Sequence, residues 1–379
     1  MKKNKVYSPV ELDFESGECS ETFESKLSSV CNRVRSLRNP YVGNKSKILY
    51  YIIKTIKDEG IEYDSVLDLF SGSAYMSLAM KMMGKRVVSN DIMPSSCIYA
   101  KAFVENNDTA LTDEDKKYLL ENENGALDQF SFGDHEDKFE HDEILFLKRY
   151  RTNAMSLRHY YSLTEEFFMK EAIAIACMQL YIMERVFVGG RLYNGQILAR
   201  LDHRIDHPRN RGQSMNFNSI KWYDFRMLDD KNKHLALNLD VMELLDPGSH
   251  NYNQVKKCEL VYIDPPYGGE QSDYFKMYDF FNMYYLMGAS SLPENGKKRF
   301  SNSKEYEKGF VELLASLKNA DIPYWVLSYN DSSWAGIDKI KEIISTFKNN
   351  VKVYDLDYSY KYRDSKSSSG TEYLIVAKP

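Results

Sequence analysis

Short apolar runs alternate with amphipathic stretches along this chain. Ser65-Val66-Leu67-Asp68-Leu69-Phe70 has the texture of a buried strand. It stops at Ser71-Gly72-Ser73-Ala74, and apolar positions resume at helical spacing from Tyr75 to Met83. Arg86 to Asp91 reads as a second strand. A strand, a turn of small residues, a helix and a strand make the first half of a nucleotide-binding α/β sheet. Upstream, Phe23 to Val34 is amphipathic, and Ile48 to Ile56 is an apolar helical pattern entered through the turn at Asn39-Pro40-Tyr41-Val42-Gly43-Asn44-Lys45.

The texture changes between residues 101 and 234. Two long helical patterns, Asp142 to Ser156 and Glu165 to Val186, stand where strands would otherwise continue. Strands then resume. Leu235 to Leu239 ends in Asp240, Leu260 to Ile263 ends in Asp264, and Tyr324 to Ser328 ends in Tyr329-Asn330. Val351 to Leu356 and Glu372 to Ala377 read as a closing hairpin whose Ser-rich, charged loop, 361–370, is expected to be mobile. No internal repeat is visible. The predicted organisation is an N-terminal extension over 1–36, an α/β domain over 37–100 and 235–379, and an inserted, mainly helical domain over 101–234.

Composition narrows the class. The 379 residues are 43% hydrophobic and 13% aromatic, with 29 tyrosines, so a sizeable core is expected. No apolar run reaches membrane-spanning length, and Met1-Lys2-Lys3-Asn4-Lys5 leads into polar sequence, not into a secretory signal. The five cysteines form no Cys-x-x-Cys pair, which points away from a zinc cluster or a disulfide framework and towards a reducing, cytoplasmic setting. His203 and His207 lack a third ligand in pattern, so no metal is expected.

The net charge of −5 argues against a nucleic-acid partner until its distribution is examined. From Glu105 to Glu143 there are 14 acidic and 3 basic residues, a balance of −11, so the remainder carries about +6. Arg185, Arg191, Arg200, Arg204, Arg209, Arg211 and Lys221 lie within one stretch that holds only Asp202 and Asp206 against them. With Tyr193 and Asn194 among them, these side chains suit phosphates and base edges. A solvated face would show the same charges.

The strand ends hold the candidate chemistry, because ligands of open α/β sheets bind beyond the carboxyl ends of strands. Phe70-Ser71-Gly72-Ser73-Ala74 allows close backbone approach. Asp91 follows Asp68 by 23 residues, at the end of the next strand, where an acid commonly accepts from ribose hydroxyls; it would serve equally as a helix cap. Asp264-Pro265-Pro266-Tyr267 is the most specific signal. Its prolines fix φ, remove two donors and extend the residues before them. The product is a stiff corner with carbonyls turned out as acceptors, one carboxylate and one aromatic face, parts that suit an amino group on a flat ring.

This order of motifs resembles the amino-methylating DNA methyltransferases, and among them the Dam-like alpha group of adenine methylases. The resemblance covers about 37–100 and 235–379. It implies a Rossmann-like sheet that binds S-adenosylmethionine and an insert that recognises double-stranded DNA. Tyr41, Gly43 and Lys45 match the N-terminal cofactor motif; Asp68, Phe70, Ser71 and Gly72 match the glycine loop. Asp91 with Ile92 matches the ribose-binding position, and Asp240 with Val241 the position that meets the cofactor's adenine. Asp264, Pro265, Pro266 and Tyr267 match the catalytic DPPY motif, with Asp264 also beside the cofactor. Ser328-Tyr329-Asn330 and Glu372 to Val376 resemble later strand motifs. Ala74 stands where the family usually has glycine, which such a turn accommodates if φ stays negative.

The implied activity is site-specific methylation of the adenine amino group in a flipped-out base, in a restriction-modification or phage and host defence setting, with a cognate restriction endonuclease on a separate chain as a further partner. Methylation at a cytosine ring carbon is disfavoured because no cysteine follows a proline. Cytosine N4 methylation, RNA adenine methylation and a non-catalytic nucleic-acid-binding subunit remain as alternatives. If the Arg191–Arg211 stretch faces DNA, neutralising Arg200, Arg204, Arg209 and Arg211 lowers the slope of log affinity against log salt, by roughly one for each phosphate that the protein no longer neutralises. An unchanged slope in a DNA-binding titration places the DNA on another surface.

Overall fold

The predicted strands assemble into one seven-stranded sheet, β5-β2-β1-β6-β7-β9-β8, in which only β9 runs against its neighbours. Its members are β1 (Ser65–Asp68), β2 (Arg86–Asn90), β5 (Leu235–Leu237), β6 (Leu260–Ile263), β7 (Tyr324–Asn330), β8 (Asn350–Asp355) and β9 (Glu372–Lys378). β3 (Phe187–Val188) and β4 (Arg191–Leu192) form a separate antiparallel pair. The computed structural model describes residues 22–123, 130–160, 165–188, 191–192, 215–228, 230–266, 274–288, 303–330, 333–356 and 372–379. Tyr267, most of the basic stretch (193–214) and the 361–370 loop fall outside these residues.

Both faces of the sheet are covered, so its central strands β1, β6 and β7 are apolar with little alternation, while edge strand β8 alternates. Side-chain alternation instead sorts residues between two cores. Val66, Val87, Leu260, Tyr262, Val326 and Val376 share one core with the helices of the N-terminal half. Leu67, Val88, Val261, Ile263, Leu327 and Ile375 share the other with the helices Ser303–Asn319 and Ile337–Ser345.

The first core reaches across every expected boundary. Helix α1 (Phe23–Arg35), within the segment read as an extension, buries Leu27, Val30 and Val34 there, alongside Ile52 and Ile56 of α2 (Leu49–Asp58). Thr22 caps α1 through the Ser25 amide. α3 (Tyr75–Met82), α4 (Pro94–Ala100), α5 (Asp113–Glu121), α6 (His141–Tyr160) and α7 (Glu165–Val186) follow in order. A π-helical turn, Lys101–Glu105, continues α4. α6 and α7 pack into the same core as α4 and the sheet. They also brace the helix Asp279–Leu286 that follows the Pro-Pro corner. Arg151 of α6 donates to the carbonyls of Tyr284 and Tyr285, and Gln179 of α7 donates to the Phe281 carbonyl at 3.2 Å. The Arg151 charge is balanced by buried Glu171 at 3.0 Å.

Neighbours of β1 lead away in opposite directions: β2 and β5 on one side, β6 and β7 on the other. The crevice at such a reversal, beyond the carboxyl ends, is where an open sheet binds ligands. Asn90 holds that rim together. Its amide donates to the Leu69 carbonyl (3.3 Å) and the Leu239 carbonyl (3.1 Å), and its oxygen accepts from the Leu239 amide (3.2 Å). One buried side chain thus ties the ends of β1, β2 and β5. Asn90→Ala strands these buried groups and should lower stability by roughly 2–4 kcal/mol, since each costs about 1–3 kcal/mol unpaired. Urea unfolding measures this; a loss below about 0.5 kcal/mol would show that the rim needs no such tie.

Candidate active site

A solvent-open cleft of about 780 Å³ lies at the switch point. Three strand ends and one N-terminal turn build it. From the turn come Tyr41, Val42, Gly43, Asn44 and Lys45; from β1 and its loop, Asp68, Phe70, Ser71 and Gly72; from beyond β2, Asp91, Ile92 and Met93; from β6, Tyr262, Asp264, Pro265 and Pro266. Nearly all the cofactor and catalytic residues expected from the sequence therefore face one space. Asp240 and Val241 do not line it: Asp240 caps the helix Val241–Leu244 by accepting from the Met242 amide at 2.8 Å. Of the expected DNA-contacting residues, the described one is Arg191, which is exposed on β4. Tyr193, Asn194, Arg200, Arg204, Arg209, Arg211 and the corner's Tyr267 lie outside the described residues.

The turn after β1 is drawn tight by Asp91. Its carboxylate accepts from the Gly72 amide at 2.7 Å and from the Met93 amide at 2.8 Å. Gly72 has a φ of +46°, and a Cβ there would stand 3.1 Å from the Tyr41 ring. Glycine at this position is therefore required twice, for its backbone region and for the ring that covers it. Ala74 corrects the expectation of a negative φ: it sits at φ +59°, in the left-handed region. Its amide donates to the Ser71 carbonyl at 2.7 Å and its carbonyl accepts from the Leu78 amide at 2.8 Å. Those bonds, with near-complete burial, hold a conformation that costs a non-glycine residue about 1–2 kcal/mol.

Aromatic rings build the opposite wall. Tyr41 stacks on Tyr278 at 4.3 Å between centroids and on Tyr274 at 5.9 Å. The Tyr278 hydroxyl accepts from the Val42 amide at 2.8 Å. The aromatics after the corner divide by role: Tyr274 and Phe275 line the cleft, while Tyr278, Phe280 and Phe281 are core.

Electrostatics distinguish this cleft from an ordinary crevice. Asp68 is almost fully buried, and burial pushes its pKa up to about 7, with the nearby Asp264 and Asp91 charges adding to the rise. Ser77 opposes this by donating its hydroxyl (2.6 Å) and its amide (3.1 Å) to one carboxylate oxygen. The other oxygen, Oδ1, has no hydrogen-bond partner, and neither has the buried Ser71 hydroxyl. Asp91 is raised to about 6, again through burial. At the corner, Asp264 meets Lys45 at 3.0 Å. The Pro266 carbonyl accepts from the buried Tyr306 hydroxyl at 2.5 Å, whereas no described residue donates to the Pro265 carbonyl. Glu372 and Tyr306 complete the site from distant parts of the chain. Glu372 is visible in the sequence only as part of a late strand motif, and Tyr306 carries no signal.

A doubly wound sheet with an acidic cleft at its switch point, bordered by a glycine turn and an Asp-Pro-Pro corner, has the architecture of a ligand-binding α/β domain. Residues 41–178 match the family model of the D12 class N6 adenine-specific DNA methyltransferases. It is 25% identical over 350 residues to the Type II methyltransferase M2.HphI of Haemophilus parahaemolyticus, a match that covers 89% of this chain and 96% of that protein. It is also 24% identical over 353 residues to the Type II methyltransferase M.FokI of Planomicrobium okeanokoites, covering 88% of this chain and 51% of that one, so it spans about half of this second relative. Among the described residues, no helix is long and apolar enough to cross a membrane, and no acid, histidine or cysteine group is placed to hold a metal.

The raised carboxyl of Asp68 has a thermodynamic consequence. It holds a proton in the folded state up to about pH 7, where the unfolded chain has already lost it, so its contribution falls as pH rises from about 4 to 7. Asp68→Asn keeps the shape and removes the titration. Relative to the wild type, it should gain on the order of 2 kcal/mol of stability between pH 5 and pH 8. Thermal unfolding at the two pH values reads the difference, and parallel behaviour of both proteins would mean that Asp68 is ionised throughout.

Proposed function

We propose that this protein transfers the methyl group of S-adenosylmethionine to the exocyclic amino group of an adenine flipped out of double-stranded DNA, as the modification enzyme of a restriction-modification system. The observation that carries this reading is that Asp264 and Pro265 face the same cleft as the Asp68–Gly72 turn and Asp91. The match of residues 41–178 to an adenine-specific family model and the likeness to two Type II methyltransferases support the substrate and the setting.

The residues present fit the cofactor. A cleft that gathers Asp68, Asp91 and Asp264 suits a ligand bearing a sulfonium and an ammonium, and Asp68 Oδ1 and the Ser71 hydroxyl are buried polar atoms left without protein partners. Asp68 and Ser71 would hold the polar end, Asp91 the ribose, and Phe70 and Ile92 the base. When bound, the cofactor supplies an activated methyl group on sulfur.

The chain's own part is to position and to stabilise. Adenine's amino lone pair is delocalised into the ring, which makes it a weak nucleophile. With one N–H donated to the Asp264 carboxylate and the other to the Pro265 carbonyl, the nitrogen is drawn towards a pyramidal shape with its lone pair aimed into the cleft. Positive charge that develops on that nitrogen meets acceptors already in place. Tyr306, by holding the Pro266 carbonyl, keeps the corner from relaxing, and an in-line transfer tolerates little misplacement. Unstacking the base costs a few kcal/mol. A ring at Tyr267 would return about 1–3 kcal/mol of that by stacking. Recognition of the DNA site falls to residues 101–234, with α6 and α7 leading through the β3–β4 pair into the basic stretch.

Asp264→Ala should abolish methyl transfer to DNA, by at least about 1,000-fold, on the scale of losing preorganised charge stabilisation. Equilibrium titration of the variant with S-adenosylmethionine should show affinity within a few-fold of the wild type. Loss of cofactor binding in a folded variant would instead assign Asp264 to the cofactor alone.

A further inference from the structure

We propose that Lys45 is a positioning residue for methyl transfer: it clamps Asp264 in its acceptor geometry by bridging it to Glu372, and so ties the cofactor-binding turn to the catalytic corner. This rests on the methyltransferase reading above and deepens it, since the family resemblance assigns Lys45 to the cofactor.

The ammonium of Lys45 lies 3.0 Å from Asp264 Oδ1 and 3.1 Å from Glu372 Oε1, with both the lysine and Glu372 buried. Glu372 is itself fixed. Its Oε1 accepts from the Ser328 hydroxyl at 2.8 Å and its Oε2 from the Asn330 amide at 3.3 Å, so it is anchored across β7 and β9. Lys45 is fixed from the backbone side. Its carbonyl accepts from the Ile48 and Leu49 amides at the entry of α2, and Asn44 next to it locks the turn by donating to the Tyr41 carbonyl at 2.8 Å and accepting from Ser46. A rigid lysine between a rigid glutamate and the corner leaves Asp264 little freedom. A positive charge at 3 Å also favours the ionised carboxylate, the form that accepts from an amino group.

The same geometry gives opposed consequences for the two ends of the bridge. Without Lys45, Asp264 faces Asp68 and Asp91 across the cleft with its clamping cation gone. Without the Glu372 charge, Lys45 acts on Asp264 undivided. Among the described groups against Asp264 are Tyr262 on β6 and Tyr306 on the helix Ser303–Asn319; burial raises both phenols well above 10, so they are silent below pH 9. Asp68 titrates near 7 and contributes to the acid limb in every variant.

The test is methyl transfer to DNA at saturating cofactor and DNA, from pH 5.5 to 9, for the wild type, Lys45→Met and Glu372→Gln. The clamp predicts that Lys45→Met lowers the neutral-pH rate at least about 100-fold and moves the acid limb up by about one pH unit. Its cofactor Kd should stay within about five-fold of the wild type. Glu372→Gln should move the acid limb the other way, to lower pH, and because it retains the lysine it decides the matter even if Lys45→Met fails to fold. A tenfold or greater loss of cofactor affinity in Lys45→Met with an unmoved acid limb would overturn the clamp and make Lys45 a cofactor ligand. Limbs that move the same way, or a Glu372→Gln limb that stays put, would also overturn it. Absence of turnover in the wild type would refute the methyltransferase reading alone. The clamp would then be read from the Asp264 carboxyl resonance in aspartate-13C-labelled proteins, assigned by its loss in Asp264→Asn, with the same opposite shifts required.

Discussion

Acids gathered at one edge of the sheet, where β1, β2 and β6 end and antiparallel β9 begins, constrain this molecule more than any other feature. Asp68, Asp91, Asp264 and Glu372 come from four different strand ends, and Lys45 is inserted between the last two. Burial alone would drive such a group towards the protonated state, as it does for Asp68 and Asp91. Asp264 differs from them in holding the Lys45 ammonium at 3.0 Å. One cleft thus contains carboxyls of two kinds. Asp68 and Asp91 are raised towards neutrality by burial, and Asp264 is paired with a lysine. A cationic ligand would lower the free energy of the whole arrangement, in keeping with the sulfonium cofactor proposed above.

The sheet brings these groups together, but the helical part of the chain keeps them there. Arg151 and Gln179 hold the helix Asp279–Leu286, Tyr278 at its start receives the Val42 amide and stacks on Tyr41, and Tyr41 in turn covers Gly72. The contacts run unbroken from the helices proposed to read DNA to the turn proposed to bind the cofactor. Helices α6 and α7 accordingly share their core with the sheet and do not form a detached module.

Local patterns make much of this legible in the sequence. Strand β1, its small-residue turn, α3 and β2 are readable because apolar period and turn chemistry coincide within about 25 residues. The corner at Asp264 is readable because tandem prolines have few structural uses. The antiparallel pairing of β8 with β9 follows from the hairpin pattern, although β9 inserts itself between β7 and β8. What escapes depends on distance or on strain. Nothing near Glu372 reveals that Lys45 will reach it, and nothing near Tyr306 reveals the Pro266 carbonyl. Ala74 is expected at negative φ because sequence shows the cost of a left-handed alanine and hides the two hydrogen bonds that hold it. The amphipathic pattern of Phe23 to Val34 predicts the helix correctly, while its burial in the main core comes from partners that local periodicity does not name.

The most direct measurement is to incubate the purified protein with methyl-labelled S-adenosylmethionine and unmethylated genomic DNA, digest the DNA and identify the labelled nucleoside by mass spectrometry. The account predicts N6-methyladenine as the labelled product, at a restricted set of sites. Label on cytosine, on RNA alone, or nowhere while the protein binds cofactor would contradict it.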